Sequence, residues 1–421
     1  MKVLVIGGGG REHAIIRALK KSERITKIFA APGNGGIGRE AECVQIKADD
    51  IPVMTDFAVQ NSIDYVVVAP DNPLALGMVD ALEAKGIRCF GPNKAAARIE
   101  SSKVFAKDLM KKYSIPTAAY EVFSDPEKAA SYVKSQSVNF PVVIKADGLA
   151  FGKGVVIAEN LKEALDAVDS IMKEKVFGES GCRIVIEKFL TGPEVSVLAF
   201  TDGKTVKPMV SSMDHKRIFD GNKGPNTGGM GVIAPNPYYT PEIAALCEKN
   251  IFLPTIRAME QEGCPFKGCL YFGLMLTQYG PVVIEYNCRF GDPETQAVLP
   301  LLQTGLFDIM EAVTDERLAD INICWSETHA ACVILASEGY PGTFKTGFEI
   351  TGLDENGQVG GVVVYHSGSS YKSHSQFFTI GGRVLGITGI GFTLDEALDK
   401  AYNAIASINF EGKYFRKDIG R

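Results

Sequence analysis

Met1-Lys2-Val3-Leu4-Val5-Ile6-Gly7-Gly8-Gly9-Gly10-Arg11-Glu12 opens the chain, and its reading decides the fold. Residues 3–6 are an unbroken apolar run and predict a short strand. Four glycines interrupt it, and residues 12–20 then place Ile15, Ile16 and Leu19 on one side of a helix. A strand that runs through glycines into a helix begins a parallel α/β unit. Residues 27–30 and 65–69 are further apolar strands, and residues 74–85 predict a helix stopped by Gly86. This alternation predicts a doubly wound N-terminal sheet. Phe90-Gly91-Pro92 closes it, and a helix over 102–113 leads onward.

From Ile115 the pattern becomes α+β. Ser124-Asp125-Pro126-Glu127 reads as a capping box opening a helix. Strands over 142–145 and 155–159 flank a glycine-rich loop. A helix over 160–175 and strands over 183–189, 194–201 and 204–210 follow. Residues 214–231 are polar and glycine-rich, without periodicity, and predict a mobile lid carrying anion-binding side chains. Strands over 270–277 and 282–286 form a hairpin around Tyr279-Gly280. The tail from Trp325 predicts strands over 331–336 and 361–365 and a last helix opened by Thr393-Leu394-Asp395-Glu396.

The 421 residues suit roughly three domains. With 46% hydrophobic and 22% charged residues the chain can bury a sizeable core. Forty-four basic against 50 acidic residues give a net charge of −6, so no general nucleic-acid or membrane binding is expected. No apolar run approaches a membrane span, and the first strand is too soon broken for a signal peptide. The nine cysteines are scattered and include no CxxC pair, which points to the reducing cytoplasm. Only five histidines occur. Any metal is therefore expected to be a hard cation held by oxygen.

Four candidate sites stand out. At Gly7–Gly10 and Arg11 a glycine loop meets a helix start, where backbone N–H groups and a guanidinium favour an anion. A dinucleotide site would have a glycine where Glu12 stands, and an acid where Ala30-Ala31-Pro32 stands, so a single phosphate fits better. Pro32-Gly33-Asn34-Gly35-Gly36 lies on the same sheet edge. Second, Lys145-Ala146-Asp147-Gly148 and Gly152-Lys153-Gly154 form a glycine-rich hairpin with a lysine at each end, suited to folding over phosphates. Third, Glu285 and Asn287 share a strand face, and a carboxylate with an amide carbonyl suits Mg²⁺. Fourth, Arg289-Phe290-Gly291-Asp292-Pro293-Glu294-Thr295-Gln296 packs charge beside that strand end. Cys288 reads as a small filler and His13 as a helix-surface residue.

These blocks resemble, over essentially the whole chain, the glycinamide ribonucleotide synthetase family of the ATP-grasp superfamily. The blocks G-G-R-E-H, A-P-G-N, F-G-P-N-K-A-A-A, K-A-D-G-L-A-x-G-K-G, N-T-G-G-M-G and R-F-G-D-P-E-T-Q stand in family order, the last being the most specific. The resemblance implies an N-terminal substrate-binding domain over 1–101 and an ATP-grasp domain over 102–324, with its small ATP-covering subdomain near 115–190. A C-terminal domain spans 325–421. It implies that Lys103, Lys145 and Lys153, with Gly152 and Gly154, contact ATP phosphates. Glu187 and Leu190 would receive adenine, and Glu194 the ribose hydroxyls. Glu285 and Asn287 would bind Mg²⁺ or Mn²⁺. Gly9, Gly10, Arg11 and Asn34, with Asp214, Arg289, Gly291 and Asp292, would line the phosphoribosylamine and glycine pocket. Segment 366–378 departs from the family pattern, and no role is carried onto it.

The implied reaction joins glycine to 5-phosphoribosylamine at the expense of ATP, through glycyl phosphate. Arg289 would stabilise the acyl phosphate, and Asp292 or Asp214 would orient or deprotonate the amine. The partners are small molecules, and the chain is expected to be a monomer, with a dimer as the alternative. Another ATP-grasp carboxylate–amine ligase is the nearest rival reading.

Overall fold

The computed structural model describes residues 1–135, 138–149, 154–373 and 376–421. Its first sheet has five parallel strands in the order Glu42–Cys43, Lys27–Pro32, Lys2–Gly7, Tyr65–Val68 and Arg88–Phe90. The order reverses beside Lys2–Gly7, so the glycine loop leaves the sheet at its switch point, where open α/β sheets bind ligands. Helix Gly10–Leu19 follows directly. The helix expected over 74–85 is two, Asp71–Leu76 and Met78–Glu83, because Gly77 adopts φ +98° between them. Helix Lys103–Lys112 leads out, capped by Ser102.

Strands Tyr120–Phe123, Ile184–Lys188, Val142–Ala146 and Val155–Ala158 make a small antiparallel sheet in that order. Helices Pro126–Val133 and Leu161–Val168 cover it through Ala129, Val133, Ala164 and Val168. The first of these is capped by Asp125, which accepts from the Glu127 and Lys128 N–H groups; Ser124 is not the cap. The expected helix over 160–175 passes into a π-helical turn at Asp169–Lys173.

A second antiparallel sheet orders Val206–Pro208, Glu194–Asp202, Lys267–Thr277 and Gly280–Asn287. The hairpin around Tyr279 and Gly280 forms as its sequence predicts. The third large sheet joins distant parts of the chain. Met213–Asp214 and Gly231–Ala234 pair onward to His329–Ser337, Arg383–Gly391 and Val363–His366. The last helix, Leu394–Ser407, is capped by Thr393 as predicted and packs on this sheet.

The polar stretch 214–231, which its composition reads as a mobile lid, carries strands and is tied to the rest of the chain. Arg217–Phe219 and Lys223–Asn226 form a hairpin, and the chain's far end grips it. Arg416 Nη1 donates to Arg217 O (3.0 Å), Tyr414 OH to Ile218 O (2.9 Å) and Gly221 N–H to Asp418 Oδ2 (2.8 Å). These partners lie about 200 positions away, so local periodicity carries no trace of them.

Candidate active site

Strand Gly280–Asn287 reaches the cleft through a bulge. Gly273 pairs with Glu285, but the next residue, Leu274, pairs with Val283, so Ile284 is the extra residue. A bulge frees backbone groups from the ladder. The Ile284 carbonyl accepts a 2.9 Å hydrogen bond from Lys145 Nζ. The bulge therefore draws the lysine of strand Val142–Ala146 onto the strand that carries Glu285 and Asn287.

Lys145 also pairs with Glu187 at 3.0 Å, and the other oxygen of Glu187 meets Lys107 Nζ at 3.0 Å. Glu187 and Lys107 are each 4% exposed at the side chain. A pair buried this deeply needs further hydrogen bonds to persist, and Lys107 supplies one to Thr117 Oγ1 (2.7 Å). Burial pushes the Lys107 ammonium down to about 8, against the pull of Glu187. Lys103 Nζ donates to Gly148 O at 2.8 Å. Burial, then the charge of Lys145, lowers its proton affinity. Lys153 and Gly152 lie outside the described residues. Gly154 accepts the Ala146 N–H through its carbonyl (2.8 Å).

Glu285 faces a third lysine. Lys216 Nζ stands 3.2 Å from Glu285 Oε1 and 3.5 Å from Glu194 Oε2. Lys216, above all, holds the Glu285 carboxyl down to about 2, with Lys145 and Lys103 adding to it against burial. An ionised carboxylate already holding a cation is a suitable donor for a hard metal ion, with Asn287 two residues on.

Beyond the strand, Arg289 Nη2 pairs with Glu100 Oε1 at 3.1 Å and lies 3.9 Å from Asp71 Oδ2. Burial opposes its charge, and Glu100 then Asp71 outweigh it. The Cys288 N–H also donates to Glu100, at 2.7 Å. Arg289 Nε is shut off from solvent and has no acceptor among the described residues. Asp292 Oδ1 accepts from Gln296 Nε2 (2.8 Å) and pairs with Arg383 Nη2 (3.2 Å). Burial would raise its pKa, but Arg383 and then Arg11 hold it low. Asp214 behaves oppositely. Burial, then the neighbouring Glu294 charge, raises its pKa well above the carboxylate range. Its Oδ1 has no donor among the described residues. Gly229 makes this possible, since a Cβ there would lie 2.7 Å from that oxygen. Gly291 similarly leaves room for Glu294.

On the N-terminal side, Gly9 N–H donates to Glu12 Oε2 at 2.6 Å and Arg11 Nε to Glu12 Oε1 at 2.7 Å. Arg11 Nη1 reaches Phe290 O at 3.2 Å, joining the glycine loop to the 289–296 block. Gly10 packs against Gln296 and Ser367. Asn34 sends one side-chain N–H group to Gly8 O (2.9 Å) and the other to His366 O (2.6 Å), while its Oδ1 accepts from Ile37 N–H (2.9 Å).

Three blocks now meet in one cleft, and the comparisons with known proteins place them. The phosphoribosylglycinamide synthetase N domain matches residues 1–100, its ATP-grasp (A) domain residues 101–295 and its C domain residues 330–421. The chain belongs to the phosphoribosylglycinamide synthetase family. It is 49% identical, over 100% of its length and 99% of the relative's, to a phosphoribosylamine–glycine ligase of Caldanaerobacter subterraneus. Identity to the enzyme of the same name from Clostridium acetobutylicum is 46%, with 100% of both chains covered. The crystal structure of phosphoribosylamine–glycine ligase from Thermotoga maritima superposes with a TM-score of 0.87 at 35% identity, covering 100% of both. A biotin carboxylase domain from Hydrogenobacter thermophilus shares the fold, at TM-score 0.75 and 17% identity over 98% of this chain and 91% of its own. The ATP-grasp architecture read from the family's motifs is therefore the one present.

The structure brings Arg11 against the 289–296 block and Lys145 against the strand that carries Glu285, and it places two side chains in settings that the sequence did not show. Asn34 lies in the wall, but its side chain is engaged by protein partners. His13 is not on the surface: it is wholly buried, its Nδ1 accepting the His366 N–H (2.9 Å) and its Nε2 facing Glu40 (3.3 Å). The divergent segment is what buries it. His366 and Ser369 sit on the Asn34–Gly36 turn, with Gly35 N–H donating to Ser369 O at 2.8 Å. Glu187 takes a structural contact through its carboxylate, and Leu190 is half-buried nearby in sequence. The sequence reading missed Lys107, one helical turn from Lys103, a spacing that places both on one helix face. It also missed Arg383, whose isolated position in a C-terminal strand carries no motif.

Proposed function

We propose that this chain catalyses the ATP-dependent ligation of glycine to 5-phosphoribosylamine, giving glycinamide ribonucleotide, ADP and phosphate through glycyl phosphate. The observation that carries this reading is the convergence at one strand end. Glu285 is faced by Lys216, Lys145 and Lys103, and the strand runs straight into the Arg289–Asp292 segment, whose Phe290 carbonyl accepts from Arg11 Nη1 at the start of the first helix. Phosphoryl transfer and a second, anionic substrate are served side by side.

In this reading Lys103 and Lys145, with Lys153 and the Gly152 and Gly154 backbone, neutralise the ATP phosphates. Glu187 and Leu190 present backbone to the adenine, and Glu194 takes the ribose hydroxyls. Glu285 and Asn287 hold Mg²⁺ or Mn²⁺, which when bound supplies charge stabilisation for the transferring phosphoryl group. Glycine's carboxylate attacks the γ-phosphorus, and the bond to the ADP oxygen breaks. Arg289, held by Glu100, offers its free Nε to the acyl phosphate. The phosphoribosylamine nitrogen then attacks the glycyl carbonyl and expels phosphate. Asp214, whose buried Oδ1 has no donor among the described residues, is the candidate to orient or deprotonate the amine, whereas Arg383 engages Asp292 as an ion pair. Gly9, Gly10 and Arg11 receive the 5′-phosphate, with Asn34 and Gly291 shaping the wall. We also infer a cytoplasmic enzyme acting as a monomer.

Glycine-dependent release of ADP, with phosphoribosylamine formed in place from ribose 5-phosphate and ammonia, tests the reading. One ADP and one phosphate per ligation are expected. Stoichiometric AMP and pyrophosphate would mean adenylate chemistry and refute it.

A further inference from the structure

Lys216 is a charged group to which the proposed reaction gives no role, and its position is unusual. Its ammonium lies 3.2 Å from Glu285 Oε1 and 3.5 Å from Glu194 Oε2. One of those carboxylates is the metal donor of the proposed reaction and the other its ribose ligand. The lysine comes from the turn after Met213–Asp214, in a segment locked by backbone bonds. Thr227 N–H and Thr227 Oγ1 both donate to Lys216 O at 2.8 Å. His215 N–H donates to Gly231 O at 2.9 Å. The side chain is thus delivered by a held backbone, and its stem alone is free to swing.

We propose that Lys216 is a resident counter-ion that occupies the metal position of the ligand-free enzyme, so that a divalent metal binds only together with a nucleoside triphosphate or diphosphate. The inference rests on Glu285 being the metal carboxylate. Two cations cannot share one carboxylate oxygen at about 2–3 Å without strong repulsion. Without nucleotide, the site holds two carboxylates, Glu285 and Glu194, against Lys216, with Lys145 and Lys103 acting on Glu285 from farther off. The lysines already compensate the acids, and a dication adds charge with nothing to balance it. Polyphosphate brings the missing negative charge. Glu285 would then hold the metal together with the polyphosphate, and the Lys216 ammonium would be freed to face the phosphates. Nucleotide and metal loading are coupled, and the metal donors are not left as an open chelate for stray cations.

Binding of Mn²⁺ to the full-length, nucleotide-free protein, read by electron paramagnetic resonance of the free ion, tests this directly. Wild type should bind Mn²⁺ weakly, and Lys216→Gln should bind at least tenfold more tightly. Lys216→Arg, which keeps the charge, should stay like wild type. With ADP present, the advantage of Lys216→Gln should shrink or reverse. Equal Mn²⁺ affinity of wild type and Lys216→Gln without nucleotide, with both melting at the same temperature, would overturn the inference. Glu285→Gln separates it from the underlying assignment. If that variant binds Mn²⁺ as well as Lys216→Gln does, the metal reading itself fails.

Discussion

The two ends of the cleft are built on opposite plans. At the N-terminal end the side chains of Asn34, His366 and Glu12 are satisfied by the protein. Asn34 makes three hydrogen bonds, and His366 uses both ring nitrogens, on Ser369 Oγ (2.7 Å) and Gly357 O (2.8 Å). Glu12 takes Gly9 N–H and Arg11. At the phosphate end charges are in surplus or unfinished: three lysines act on Glu285, and Asp214 Oδ1 and Arg289 Nε are buried without partners among the described residues. Satisfied networks rigidify a structure, and unsatisfied buried groups cost free energy until a ligand arrives. In the proposed reading the first end is scaffold with one anion port at Arg11, and the second is arranged for charge that the substrates would bring.

That contrast makes variants at the phosphate end costly in rate and variants at the scaffold end costly in stability. Glu285→Ala should lower kcat by about 100-fold or more, since it removes the metal's carboxylate, while leaving the melting temperature near wild type. Near wild-type turnover at low Mg²⁺ would break the assignment. Arg11→Ala should raise the KM for phosphoribosylamine and lower kcat/KM by about 30- to 150-fold, the loss of one charged hydrogen-bonding partner. The KM for ATP should hold. Measuring both constants decides whether the port belongs to the phosphoribosyl group.

Asn34→Ala should do the reverse, destabilising the protein by about 2 kcal/mol because Gly8 O and His366 O lose their donor in a buried setting. Thermal denaturation reads this, and an unchanged Tm would mean that Asn34 is not the tie we describe. A further effect concerns acid. Burial, then the neighbouring His13, pushes His366 down to about 3, and burial likewise lowers His13, despite Glu40 beside it. Both histidines bind protons more readily unfolded than folded. Stability is therefore full above the ordinary histidine pKa of about 6.5 and falls as pH drops toward 3. His366→Gln should flatten that acid limb by up to about 1.4 kcal/mol per pH unit, read from denaturation midpoints between about pH 4 and about pH 7.

Sequence was legible where the chemistry is local. The 3–6 run with its glycines, the 267–287 hairpin and the Thr393 cap each rest on neighbours within a few positions. The 289–296 block was legible because its residues are dense and specific. Gly77 shows the limit: an apolar pattern runs across it, yet its left-handed backbone divides the helix. The 214–231 stretch and His13 were misread for a different reason. Their partners, Arg416 and Tyr414 in one case and His366 in the other, belong to chain that folds back from the far end. Polar composition at 214–231 gave no sign of the strands it forms or of the sheet it joins.

Arg383 draws these threads together. Its guanidinium, on strand Arg383–Gly391, donates to Asp292 O at 2.8 Å and to the Gly228 carbonyl, and pairs with the Asp292 carboxylate. Residues needed to seat Asp292 are thus made by the ribosome some 90 positions after it. During synthesis, every motif of the cleft emerges before the strut that aligns it. A nascent chain consequently lacks the Arg383 tie to Asp292 until roughly the last tenth of its length is being made.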